Sequence, residues 1–174
     1  MASLENGAAV VAYSSRYHDS NWWPDKLIDA SLSTSWHVAD GQGGKKWIKL
    51  SLARGATYQV DRFQLLGRPE CCHDQHPRDF ELAVSTTGTE DSDFKVVLRA
   101  TLPAGQTTPT TFVLPRPVLA KHLLYRVLNT RGSGYPTTAS LRALSGQVNT
   151  PTVTFDDLTA VSYTHLTLPT NREV

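Results

Sequence analysis

Cys71 and Cys72 are the only cysteines in the chain, and they are adjacent. Consecutive Cα atoms across a trans peptide lie about 3.8 Å apart, short of the roughly 4.4–6.8 Å that ordinary disulfides span. On chemistry alone two free thiols are the plainer reading, since a bridge here distorts the peptide. A structural zinc site needs four suitably spaced ligands, which this pair does not supply. Asp29 and Thr34 bracket a polar bend in LIDASLSTSW that carries several oxygen donors. Asp74, Asp79, Asp91 and Asp93 fall in loops or at strand starts. Solvated turn positions explain them better than a glycosidase pair, which needs two carboxylates facing one cleft. Gly41-Gln42-Gly43-Gly44 precedes a strand rather than a helix, so it is no phosphate cradle. There is no G-x-S-x-G elbow, no H-E-x-x-H, and no Ser, His and Asp at a spacing that argues for a triad. The pattern is that of a protein that is not an enzyme.

The elements that must position these residues read as strands. Ala8 to Tyr13 is short and apolar, and Ser14 to Trp23 is a polar, aromatic loop. Pro24 sits where a short helical turn begins, completed by Lys26 to Asp29. Trp36 and Trp47 flank the Gly-rich loop, and Ile48, Leu50 and Leu52 alternate with Lys49 and Ser51, the period of a half-buried strand. Tyr58 to Leu66 follows, with Tyr58, Val60, Arg62 and Gln64 expected on one face and Phe63 and Leu65 on the other. Asp79 to Ser85, Phe94 to Leu102, Thr110 to Leu114 between prolines, Leu123 to Leu128 and Leu141 to Val148 complete the set. Turn signals at near-regular spacing and the lack of βαβ alternation predict an all-β, antiparallel sandwich.

With 174 residues and a formal net charge of +1, the chain can bury one core and has no strong field to attract nucleic acid or an anionic membrane. It has no apolar run of transmembrane length and no visible signal peptide. Residues 1–149 are expected to form one domain. Residues 150–160 read as a linker or the start of a next domain. Val161 to Thr170, VSYTHLTLPT, resembles the conceptual translation of a sequencing-library adaptor, so residues 161–174 are set apart as a disordered artefact, a natural disordered tail being the alternative. On the artefact reading the natural chain continues past Ala160.

The ordered series LIDASLSTSW with Asp29, Thr34 and Trp36, then WIKLSL, FELAVS with a later Phe94, the Leu124-Tyr125-Arg126 strand and LRALSG resembles a discoidin domain over Leu4 to Val148. This is the superfamily of coagulation-factor type C domains, discoidin-like carbohydrate-binding modules and fucolectins. The resemblance implies an eight-stranded antiparallel jelly-roll β-sandwich whose loops at one end bind a ligand, commonly a sugar. It implies an extracellular or cell-surface setting and attachment to other domains. It also implies a structural calcium at the bend, with a carboxylate from Asp29 and backbone or hydroxyl oxygens from Ser31 and Thr34. Ala30 stands where the family usually has Gly, and Ser140 where an acidic ligand is typical, so a metal-free bend remains the alternative.

By the same resemblance the sugar-binding residues are His37 after the Trp bend, Arg68 opening the next long loop, His73 five places on, and Tyr135 in the last loop. An Arg and a His can donate to vicinal hydroxyls, and a flat ring can stack on the apolar face of a sugar. Arg68-Pro69-Glu70-Cys71-Cys72 is similar to the R-x-D-C-C loop of fucolectins. That likeness implies a vicinal disulfide offering a flat sulfur face, with Glu70 in the place of Asp. The expected partner is therefore a glycan. The alternative is a protein- or membrane-adhesion module that uses exposed loop aromatics, Trp22 and Trp23 among them.

Overall fold

The computed structural model describes residues 1–39 and 46–146. The expected linker, adaptor-like tail and Gly-rich loop lie outside the described residues. Nine strands form among those described: β1 (Ala9–Tyr13), β2 (Trp36–His37), β3 (Trp47–Ser51), β4 (Tyr58–Gly67), β5 (Asp79–Ser85), β6 (Lys95–Thr101), β7 (Thr110–Ala120), β8 (His122–Val127) and β9 (Thr137–Leu144). They pair antiparallel into a five-stranded sheet, β1-β3-β8-β5-β6, and a four-stranded sheet, β2-β9-β4-β7. The expected sandwich is present, with one strand more than the eight expected. The extra one is β2, a two-residue strand pairing Trp36 with Thr138 and His37 with Thr137.

The core lies between the sheets. Trp36, Tyr125, Phe63 and Phe80 are its largest buried side chains. The Tyr125 ring sits 6.4 Å from Trp36 and 6.1 Å from Phe80, edge to face. Its hydroxyl reaches Thr138 Oγ1 at 3.2 Å, a hydrogen bond from β8 across to β9. Burial drives the Tyr125 phenol strongly upward from its ordinary pKa, so it stays neutral and the bond persists.

Two registers differ from simple alternation. Val60 is buried along with Phe63 and Leu65, because a bulge shifts the pairing between Val60 and Arg62. The extra residue turns Val60 into the core, away from the face it was expected to share with Arg62. Opposite that bulge, β7 pairs again at Val118 after leaving at Val113. Pro115 and Pro117 occupy the unpaired interval, where no ladder hydrogen bond is demanded of them. The strand expected to end at Leu114 therefore continues to Ala120.

The last strand starts at Thr137, earlier than the expected Leu141. Thr137, Thr138 and Ser140 are polar yet buried, which hides the strand from a hydrophobicity pattern. In β5 all positions from Phe80 to Ser85 are buried rather than alternate ones. Its outward Glu81 is enclosed by Arg99 at 2.8 Å and Arg126 at 3.0 Å. The expected helical turn is a 3-10 turn over Pro24–Leu27.

Candidate functional site

Strand ends place four loops together. The loop after β1 is tied to β2 and β3 by backbone bonds, Ser14 N–H to Trp47 O and Tyr17 N–H to His37 O, each at 2.9 Å. The Trp36 indole N–H donates to Ser15 O at 3.1 Å. The loop from β4 to β5 meets the loop from β8 to β9 through Arg131 N–H to His76 O at 3.2 Å and Ser133 N–H to Asp74 O at 3.0 Å. Arg78 O accepts from Leu102 N–H at 2.7 Å, which brings in the start of the β6–β7 loop.

Four of the residues singled out in the sequence converge here, around Trp22. The His37 ring lies edge-on to Trp22 at 6.2 Å and to Tyr135 at 5.3 Å, with Tyr17 at 5.0 Å. The Arg68 guanidinium lies 4.3 Å from the centre of the Trp22 ring, a cation–π contact. Its Nε–H donates to Glu70 Oε1 at 3.1 Å, so the charge of Arg68 is balanced locally. The result is a half-buried wall of rings with a fixed fork of donors beside it.

Cys71 and Cys72 are bridged to each other, rather than standing as two free thiols, and Cys72 adopts a left-handed backbone at φ 60°. The pair lies between Glu70 and the exposed His73. The His73 ring faces His76 at 4.9 Å.

Sequence reasoning did not single out His76, which lies beneath this loop. It is fully buried, and its Nε2 is 2.7 Å from Arg68 O. A carbonyl only accepts, so Nε2 carries the proton and Nδ1 is the bare nitrogen; among the described residues Nδ1 has no partner. Burial lowers the His76 pKa, the Arg68 carbonyl opposes that, His73 and Arg131 add to it, and Asp74 works against them. Gly67 admits the ring, because a Cβ there would lie 2.7 Å from His76 Cγ. Tyr17 and Trp22 also belong to the wall. Their signal was the aromatic density of Ser14 to Trp23, legible as a loop but not as part of the His37 site.

The bend at Asp29 is a separate place. The Thr34 hydroxyl lies 2.9 Å and 2.8 Å from the two Asp29 oxygens, and Ser31 N–H donates to Asp29 Oδ1 at 3.0 Å. Lys26 Nζ stands 3.8 Å from Asp29 Oδ2. The Ser31 hydroxyl is paired with Ser33 at 3.1 Å, and Arg142 Nη2 donates to Ala30 O at 3.4 Å. Calcium takes about six to eight oxygens at close range. This donor set, with one carboxylate and two side-chain cations already on its oxygens, does not fit that demand. Ala30 turns the bend at φ 65°, a left-handed conformation that glycine adopts without cost.

The sequence matches the F5/8 type C domain family over residues 9–142. Among solved structures, the fold is similar to CpGH89CBM32-5 from Clostridium perfringens, in complex with GalNAc-β-1,3-galactose. That match has a TM-score of 0.66 and 20% identity, covering 83% of this chain and 99% of that one. It is similar to the family 32 carbohydrate-binding module of C. perfringens NanJ in complex with galactose, with a TM-score of 0.63 and 15% identity over 78% and 90% of the two chains. The CBM32-1 and CBM32-2 domains of C. perfringens ZmpB in complex with GalNAc match with a TM-score of 0.67 and 18% identity, covering 83% of this chain and 36% of that one. Comparison with curated protein sequences finds no match.

Proposed function

The chain belongs to the F5/8 type C domain family, and from that premise we propose that it is a non-catalytic carbohydrate-binding module of a larger secreted protein. The observation that carries this is the convergence of His37 at the end of β2, Arg68 in the β4–β5 loop and Tyr135 in the β8–β9 loop on one aromatic wall. Arg68 and His37 donate to sugar hydroxyls, Tyr135 and Tyr17 give ring surface for the C–H face, and Glu70 fixes Arg68 while accepting from a hydroxyl. The Cys71-Cys72 plate and His73 form the outer margin. Galactose-type sugars are the first ligands to test, because the similar modules are described with galactose or GalNAc. Binding by one such shallow site is weak, and attachment to further modules multiplies it.

On this reading the bend at Asp29 is held by Lys26, Thr34 and Arg142 rather than by calcium. Adhesion to a membrane through the tryptophans is the weaker account, since a guanidinium group already contacts each indole, Arg68 on Trp22 and Arg16 on the partly exposed Trp23. The test is retention on immobilised galactose and GalNAc glycans. Arg68→Ala is expected to lose about 10- to 100-fold in affinity, the worth of a charged hydrogen bond, with melting shifted little. Retention by Arg68→Ala equal to the parent's refutes the site, and flotation with liposomes but no glycan binding would favour adhesion.

A further inference from the structure

We propose that the sugar site continues into a second, cationic subsite formed by Arg16, Tyr17 and His18, which takes an acidic substituent, a carboxylate or a sulfate, on the sugar held at His37. The proposal rests on the carbohydrate reading above and extends it.

An open depression of about 620 Å³ is lined by Arg16, Tyr17, His18 and Ala39, within the size range of small-ligand clefts, roughly 300–1,000 Å³. It adjoins the first site through a shared side chain: Tyr17 lines the depression and also packs 5.0 Å from the His37 ring. Tyr17 also meets His18 at 4.2 Å. One ligand can therefore touch both places without leaving the wall of rings.

The backbone beneath the depression is tied down by hydrogen bonds. Ser15 Oγ accepts from Ala39 N–H at 3.3 Å, Ser15 O accepts from the Trp36 indole, and the Tyr17 backbone is bonded to His37. Arg16 lies over Trp23, its guanidinium carbon 3.9 Å from the ring centre. Such a stack fixes direction while leaving the N–H edges open, and Arg is suited to planar oxyanions.

The charge balance separates the two subsites. Arg68 in the first is neutralised by Glu70 at 3.1 Å, which suits a neutral sugar. Among the described residues Arg16 in the second has no carboxylate partner, and none of those lining the depression is acidic. Asp19, the nearest acid along the loop, is engaged in capping Asn21 N–H at 2.9 Å. An anion there gains a charge-assisted bond without displacing an existing pair.

Calorimetric titration of the protein with lactose, 3′-sialyllactose and 3′-sulfolactose tests this, for the parent and for Arg16→Gln and His18→Ala. The parent is expected to bind at least one acidic ligand about tenfold more tightly than lactose, with the advantage reduced in ~1 M salt. Arg16→Gln should erase that advantage and leave lactose unchanged, with His18→Ala reducing it in part. The arm that responds distinguishes carboxylate from sulfate. Equal affinity of the parent for all three ligands, or an acidic preference that survives Arg16→Gln, overturns the subsite while leaving the first site standing. Failure of all three to bind overturns both.

Discussion

Replacing His76 by Phe tests how the fold presents Arg68. The ring is fully buried, and Phe keeps a flat ring of similar size against Gly67. What disappears is the 2.7 Å bond to Arg68 O. Leaving a part-buried acceptor without its donor costs about 1–3 kcal/mol, which for a domain near 150 residues lowers melting by roughly 2–10 °C. The acid behaviour should change as well. Burial holds the folded His76 below the ordinary imidazole pKa, so near neutral pH both states are unprotonated and its stabilisation is complete. Below about pH 6.5 the unfolded chain takes up the proton first, so stability falls as pH drops towards the lowered folded value. His122 has the same sign, since burial and Lys121 lower its pKa too. His76→Phe should therefore lose part of the acid slope, not all of it. Differential scanning fluorimetry from pH 5 to 8, with glycan affinity measured at each pH, reads both quantities. His76→Gln, whose amide can reach the same carbonyl, should recover part of the melting temperature and of the affinity. A Phe variant with the parent's melting temperature and full acid slope would refute the reasoning.

Ala30→Gly should raise stability by about 1 kcal/mol, because the residue already sits at φ 65° and a non-glycine pays for that conformation; chemical denaturation measures it. Millimolar calcium or EDTA should leave melting unchanged, and Arg142→Gln should lower it without restoring a calcium response; a rise of several degrees with calcium would return the metal to the bend. Glu81→Gln should cost about 1–3 kcal/mol, since Arg99 and Arg126 lose a buried carboxylate while Arg99 stays largely solvated. Mild reduction of the Cys71-Cys72 bridge, confirmed by mass, should weaken glycan retention severalfold with little change in the far-ultraviolet dichroism, because the loop and not the sandwich depends on it.

How much of this was legible depended on whether the signal was local. The alternation in WIKLSL and FELAVS marked β3 and β5 directly, and the turn spacing gave the antiparallel class. The bulge at Asp61 was invisible, since a one-residue offset leaves hydrophobicity unchanged while reversing which side faces inward. β2 escaped because two residues carry no period, and the start of β9 because Thr137 and Thr138 are buried through hydrogen bonds rather than apolarity. His37, Arg68 and Tyr135 were found by resemblance and meet in space. His76 was not found, for its role comes from a backbone carbonyl eight residues away and from the absence of a Cβ at Gly67. Trp22 and Tyr17 were legible as aromatic but not as partners of His37, which sits across the β1–β2 connection.

The margins of the two sheets have a consequence for how copies of the domain treat one another. An open strand is a template on which a second chain can add its own. Each of the four margins here is blunted differently. β1 is short and broken by a register shift, β2 has only two residues, and β6 carries Lys95 and Arg99. β7 presents Pro115 and Pro117 where a ladder would have to run. Growth by strand addition is disfavoured at all four margins of the sheets that the described residues form. Any contact between copies is thereby left to the loops and sheet faces rather than to the strand margins of the described sheets.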